Sequence, residues 1–474
     1  MTAELELAGK VLELVRAATG PGGQAEVAVQ RQALALTRFA NSFIHQNLAE
    51  DTTTVGLRLH AGSRTVTGTT TVTGPDGLRE LVDRTIRAAR YAPPDPGWPG
   101  LAPPAPPAGE PGFDEATAAA PPAARAQRVA EFVAAAGGLE TAGYCRTARW
   151  AGAVANSAGH SITTRTSEAA MDGIARVERA GEVAGSADGM ARLASVRLAD
   201  LAGAELGAVA AAKARSSAEP VELPPGRYQV VLEPAAVADL LGNLAAWGFN
   251  GRALAERRTF AELGAEQFDR SVTLVDDAYA PGSPGLGYDL DGTPRQRLTL
   301  VDAGVTTAVA HNRRTAALVG GQSTGHGVRY FGTVAAAPTN LRLLPPAGGA
   351  AAPTAPGSAP PAGGSAHPAA APLLAGVDRG LLVTDLWYTR VLDPKSLVVT
   401  GLTRNGVWLI EHGEITRPVR NFRFTQSYPQ ALGPGAVTRI GPAGVLLPGN
   451  LPAAWPSAPA LHLASWNFTG GASG

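Results

Sequence analysis

One cysteine stands in 474 residues, so no internal disulfide can form and the chain fits a reducing compartment. That thiol, Cys145, reads as a small buried hydrophobe rather than a nucleophile. Net charge is missing too: lysine plus arginine equal aspartate plus glutamate at 40 each. No overall field draws in polyanions or anionic lipid, so neither a nucleic-acid nor a membrane partner is expected. No run of about 18 uncharged apolar residues occurs, which argues against a spanning helix. The N-terminus, MTAELELAGKVLELVRAATG, lacks the basic start and unbroken apolar stretch of a signal peptide. A cytoplasmic location is expected.

Several site patterns are also absent. The histidines are His45, His60, His160, His311, His326, His367, His412 and His462, and no two stand three to five residues apart. The local helical ligand pair of a zinc peptidase is therefore missing. His311, His326 and His412 all lie in the C-terminal half, and a rebuilt metal site would have to draw on them. No sequence argument ties a serine to a histidine base, so a nucleophilic triad has no support. The run Gly320-Gly321-Gln322-Ser323-Thr324-Gly325-His326-Gly327 lacks the GxxxxGK[ST] pattern and its phosphate-reaching lysine. It reads as a loop, either beside a substrate groove or a plain connection.

What is present is periodicity. Leu5, Ala8, Val11, Leu12 and Val15 share one helical face. Residues 25–30, 33–39, 53–60 and 64–72 alternate as short strands, with turn signals at 61–63 and 74–77. A helix over 78–91 puts Leu78, Leu81, Val82, Thr85, Ile86 and Ala89 on one side. The proline-rich stretch 92–122 is an extended connector. Helices over 123–136 and 198–215 bracket strands over 141–150, 153–157, 161–168 and 171–178, with a hairpin turn at 156–160.

PVELPPGR at 220–227 marks a boundary. Beyond it come a strand at 228–232, one helix over 234–258, and hairpin strands at 271–275, 295–301, 305–311 and 407–410. Asp302-Ala303-Gly304 and Glu411-His412-Gly413 supply glycine turns. The fold class expected is α+β. An N-terminal sheet-and-helix domain comprises regions 1–91 and 123–219 on either side of the connector 92–122. A strand-rich, barrel-like C-terminal domain follows over 220–474. Within it, residues 345–372 are too poor in large apolar side chains to order themselves and are expected to form a disordered surface insertion.

Two segments carry a resemblance. PAAVADLLGNLAAWGFNGRALAERR at 234–258 ends in the Phe249-Asn250 pair, and LLVTDLWYTRVLDPKSLVVTGLTRNGVWLIEHGEITRPVRNFRFTQS spans 381–427. Together they resemble the TldD/PmbA family, in particular its PmbA (TldE) branch. Residues 404–411 match an RxGxxLIExG-type signature, and Asn421-Phe422-Arg423-Phe424 its NFRF. The family's catalytic branch carries HExxxH on the helix ahead of the FN pair, whereas residues 238–247 here hold no histidine. The helix offers Asp239, Asn243 and Glu256 instead, and asparagine is a poor zinc ligand.

The resemblance implies a subunit of a cytoplasmic metallopeptidase acting on unfolded or modified peptides. An HExxxH-bearing TldD-like partner, or a second copy of this chain, would complete the assembly. Zinc is expected in the partner and no cofactor in this chain. The other readings are a stand-alone metallopeptidase with a rebuilt site, or a non-catalytic peptide-binding or scaffold protein. No catalytic residue is assigned. Asn421 and Arg423 are substrate-binding candidates because polar residues ending a strand can hold an extended peptide. Asn250 of the FN pair, His311 and Arg313 of the HNRRT run, and Thr324 of the glycine-rich loop complete the set.

Overall fold

The computed structural model describes residues 1–179, 185–330, 333–345, 366–449 and 453–471. Its first half is built on one antiparallel sheet. The strands are β1 (Gln24–Ala40), β2 (Phe43–Ala61), β3 (Arg64–Thr70), β4 (Glu140–Asn156), β5 (Ser161–Arg179) and β6 (Gly185–Ser195), in the order β3-β2-β1-β4-β5-β6. Alternation locates these strands but understates their length. Residues 25–30 and 33–39 belong to one strand, as do 161–168 and 171–178. The start of β2 is exposed on both faces, so it carries no period-two signal, yet its register with β1 runs unbroken from Gln24↔His60 to Arg38↔Gln46.

Helices α1 (Ala3–Thr19) and α2 (Pro75–Ala89) cover one end of this sheet. They bury Ala8, Val11, Val15, Leu78, Leu81 and Val82 against Val27, Val29, Val55 and Leu57. Each large aliphatic side chain so buried contributes about 1.5–3 kcal/mol. The helices Pro122–Ala135 and Gly203–Ser216 cover the other end, where Phe132 packs with Phe39, Cys145 and Met171. A Cβ at Gly207 would meet the Phe132 carbonyl oxygen at 2.2 Å, so these two helices can touch only through glycine. Leu198–Asp200 is a separate 3-10 turn ahead of the second helix, not part of it. The connector 92–122 is extended apart from a short helix, Glu115–Ala118, capped by the Asp114 side chain.

The second half closes five strands into a barrel. They are β7 (Gly226–Leu232) and the strands Arg379–Asp393, Val398–Glu411, Phe422–Ser427 and Leu461–Gly471. Arg379–Asp393 pairs in parallel with β7 and antiparallel with Val398–Glu411, which shuts the ring. Val230, Leu232, Leu381, Val383, Val407 and Leu409 join one apolar cluster with Phe424, Trp466 and Phe468. Their neighbours Val231, Leu382, Trp408 and Ile410 face the other way, into a second cluster with Ala370, Leu373 and Val377. The wall is therefore buried on both sides, which explains the unbroken apolar run at 381–383. Short strands at 274–276, 298–302, 305–306, 341–343, 445–446 and 457–458 form a further sheet. Both expected glycine turns are present, with Ala303 and His412 sharing the positive φ of Gly304 and Gly413.

Most of the expected insertion, 346–365, lies outside the described residues. Its end does not behave as an insertion. His367 is buried, donates from Nδ1 to Glu233 Oε1 at 3.0 Å, and lies edge-on to Trp408. Pro372 belongs to a helical turn, Ala371–Leu374. Lys213 Nζ meets the other Glu233 oxygen at 2.5 Å. Burial alone would raise the Glu233 carboxyl, but Lys213 and His367 pull it down to about 2.

Charge also docks the two halves on each other. Arg58 of β2 binds Glu26 on β1 and, at 2.7 Å, Asp291 Oδ1 from the second half. Both acids are almost wholly buried. Removing the cation strands two buried carboxylates, which typically costs about 3–5 kcal/mol. Arg58→Met should therefore lower the unfolding free energy by that order in a urea titration at neutral pH, with a smaller loss in acid, where Glu26, whose carboxyl burial raises, takes up a proton.

Candidate functional site

The segment 234–258 is not one helix. It leaves β7 at Glu233, runs as an α-helix over Pro234–Asn243, widens into a π turn at Leu244–Gly248, and breaks at Phe249. Asn250 then starts a new helix, Gly251–Ala255, by accepting from the Arg252 and Ala253 backbone amides. The asparagine of the FN pair is thus a cap, a role that a continuous helical period conceals.

The first of these helices forms part of the wall of a cavity of about 960 Å³ between the two halves. Gln30, Gln32 and Trp150 of the N-terminal sheet line one side, and Asp239, Asp385 and Arg295 from the second half line the other. Asp239 accepts from Thr389 Oγ1 at 2.8 Å, the Tyr428 hydroxyl at 3.1 Å and Asn243 Nδ2 at 3.3 Å. Burial pushes its carboxyl up to about 7, with the charge of Asp385 adding to the effect against those hydrogen bonds. Burial raises Asp385 as well, opposed by Arg192, whose Nη2 stands 3.2 Å away. Arg192 also faces Asp172 at 3.4 Å, and Asn405 Nδ2 reaches Asp385 at 3.3 Å. Asp239 can hold or release a proton near neutrality inside a partly dry chamber.

The six residues singled out from sequence divide into two places. Asn250 lines the cavity, though its own polar atoms are spent on capping and on the Ala246 carbonyl. His311 and Thr324 lie together, the threonine hydroxyl 2.8 Å from the His311 amide. Burial lowers the His311 imidazole, and its Nδ1 stands 3.2 Å from Thr315 Oγ1. Arg313 ties down the connector through the Pro99 and Gly100 carbonyls. Asn421 and Arg423 sit on the barrel and do not line the cavity. Asn421 accepts from Thr403, and Arg423 is exposed opposite Leu402 and Gly470.

Arg192, Arg295 and Asp385 place ionisable side chains on the cavity wall and were not among those candidates. The signal that could have found one of them is a lone carboxylate inside an apolar stretch, as in LLVTDLW.

Residues 225–441 match the family described as the PmbA/TldA metallopeptidase C-terminal domain. The second half of the chain therefore carries a domain of the PmbA/TldD kind. Solved structures share the chain's fold over 98–99% of its length. TldE from Thermococcus kodakarensis superposes with a TM-score of 0.84 at 16% identity, covering 98% of this chain and 100% of that one. A Thermotoga maritima protein proposed as a modulator of a DNA gyrase gives 0.80 at 16%, with 98% and 100% covered. A Bacteroides thetaiotaomicron protein of the same description gives 0.78 at 17%, with 99% of each chain covered. No curated protein matches the chain.

Zinc, which the name of this family implies, finds a poor donor set here. Zinc takes deprotonated thiolate or carboxylate and neutral imidazole ligands. The cavity helix presents Asp239, half protonated near neutrality and held by three side chains, and an asparagine one turn on. The C-terminal histidines are engaged elsewhere: His326 with Asp276 and Thr324, His412 with Asp378. Among the described residues, no three of His, Cys, Asp and Glu are grouped to hold an ion. The residues do not fit the metal.

Because the native Asp239 carboxyl sits above its ordinary range, the folded protein keeps a proton that the unfolded chain gives up. Stability from this group is therefore lost as pH rises from the ordinary carboxylate range through about 7. Asp239→Asn, which stays neutral, should abolish that part of the slope. In urea titrations from about pH 5 to about pH 8, the wild type should lose on the order of 1–3 kcal/mol more than the variant.

Proposed function

We propose that this chain is the TldE-like, zinc-free subunit of a TldD/TldE-type peptidase. Its cavity forms part of the chamber that holds a peptide, and an HExxxH-bearing partner supplies the zinc. The observation that carries this reading is the cavity helix, which stands at the chamber wall and presents Asp239 and Asn243 in place of a hydrolytic donor set. The N-terminal sheet supports it from the opposite side, since Gln30, Gln32, Thr52 and Thr54 line the same space with amides and hydroxyls. Such groups hydrogen-bond an extended backbone without reading its sequence.

In this role the chain's own residues bind and orient. Arg192 and Asn405 hold Asp385 in place, while the Thr389, Tyr428 and Asn243 bonds hold Asp239 in one rotamer. The partner's zinc activates the hydrolytic water. A cytoplasmic setting accords with the buried Cys145, whose thiol burial pushes up to about 12, so that it is inert. No helix among the described residues is long and apolar enough to cross a membrane.

Two measurements test the reading. Elemental analysis of the dialysed chain should give well below about one zinc per chain. Mixed with an HExxxH-bearing relative from the same cell, it should form a stable complex that cleaves unfolded peptides faster than either chain alone. Chelator-resistant cleavage by this chain alone would favour an independent hydrolase. Peptide binding with no catalytic partner to be found would favour a scaffold.

A further inference from the structure

Arg295 is a buried cation without a hydrogen-bonded acid. It is 3% exposed and lines the large cavity. Its Nε and Nη1 atoms find no hydrogen-bond acceptor among the described residues. The nearest acid is Asp276, whose Oδ2 lies 4.0 Å from Nη1, too far for a hydrogen bond. That carboxylate is already engaged, by His326 Nε2 at 2.9 Å and the Asn340 amide at 2.6 Å. Asp289, which also lines the cavity, is engaged as well: one oxygen takes the Asp291 and Thr293 amides and the other the Gly327 amide. The arginine backbone is pinned, its amide to the Gly287 carbonyl and its carbonyl to the Tyr279 hydroxyl.

An unmet buried donor costs about 1–3 kcal/mol, more when charged, and in a native fold asks for a ligand. Nε and Nη1 are enclosed, so a ligand in the cavity meets the guanidinium at Nη2, where a carboxylate oxygen makes a charge-assisted hydrogen bond. The Asp276 carboxylate stands beside it, so the pocket tolerates one added negative charge better than two, which selects a carboxylate over a phosphate. We propose that Arg295 anchors a carboxylate of a peptide lying in the cavity, and that this group is the free C-terminus. The polar face of Gln30, Gln32, Thr52 and Thr54 would take the backbone behind it. The proposal rests on reading the cavity as a peptide chamber, but the anchor itself needs no partner subunit.

The test uses the purified full chain and one fluorescent unfolded peptide in three forms: free acid, C-terminal amide, and amide with a terminal glutamate. Anisotropy should show the free acid binding at least about tenfold tighter than the plain amide, as a charge-assisted bond implies. Arg295→Gln should erase that preference, and Arg295→Lys should keep only part of it. Thermal melts confirm that the variants fold, and the acid-to-amide ratio in wild-type protein needs no variant. Equal affinity of acid and amide overturns the anchor while leaving the chamber standing. Recovery of tight binding by the glutamate amide assigns the site to side-chain carboxylates and overturns the C-terminal assignment. If no peptide binds but N-acetylglycine stabilises wild type and not Arg295→Gln, the anchor stands and the chamber reading falls. If neither binds, both fall.

Discussion

Closing five strands into a barrel through the pairing of Arg379–Asp393 with Val398–Glu411 leaves the ring without a free edge, so its backbone groups are satisfied within the wall. The wall is then covered on both faces, by its own interior on one side and by the 366–377 segment and the Gly203–Ser216 helix on the other. Trp408 shows the second contact directly, its indole donating to the Ser216 carbonyl at 3.2 Å. A wall of this kind cannot flex locally without opening a cavity in one core or the other. The helix that leaves β7 therefore holds Asp239 at a fixed depth in the chamber wall.

Against that apolar background, the charged residues are few and placed at joints. Glu26, Arg58 and Asp291 lock the first half to the second. Arg192 and Asp385 cross the same boundary beside the chamber. Buried ion pairs contribute little net stability compared with apolar packing, but they are strongly destabilising when one member is lost. Their value here is orientation: each fixes how the N-terminal sheet meets the second half. Arg295 differs from these pairs because its acids are bonded to other partners.

Much of the fold was legible in the sequence, because period-two and period-3.6 burial act over most of its length. The faces of α1 and α2 follow from spacing, and so do the hairpin turns at Gly62, Gly159, Gly304 and Gly413. Strand length was not legible where β2 stands in solvent on both sides, since nothing then distinguishes inner from outer positions. Nor was the break at Phe249, because apolar spacing continues through a π turn while the backbone does not. The site was the least legible part. Asp385, Arg192 and Arg295 stand on separate elements, and only the docking of two halves brings them to one cavity. Asn250, His311, Arg313 and Thr324 were picked for their residue types, and three of the four serve caps and loop ties.

The Lys213–Glu233–His367 contact has a consequence for how this chain can change over time. Its three members come from an N-terminal helix, the exit of β7 and the return of the chain after residue 365. Glu233 takes a donor on each oxygen, so a lone change at any of the three strands a buried partner. The place where the chain re-enters the fold at His367 is thus inherited together with Lys213 and Glu233, as a set of three.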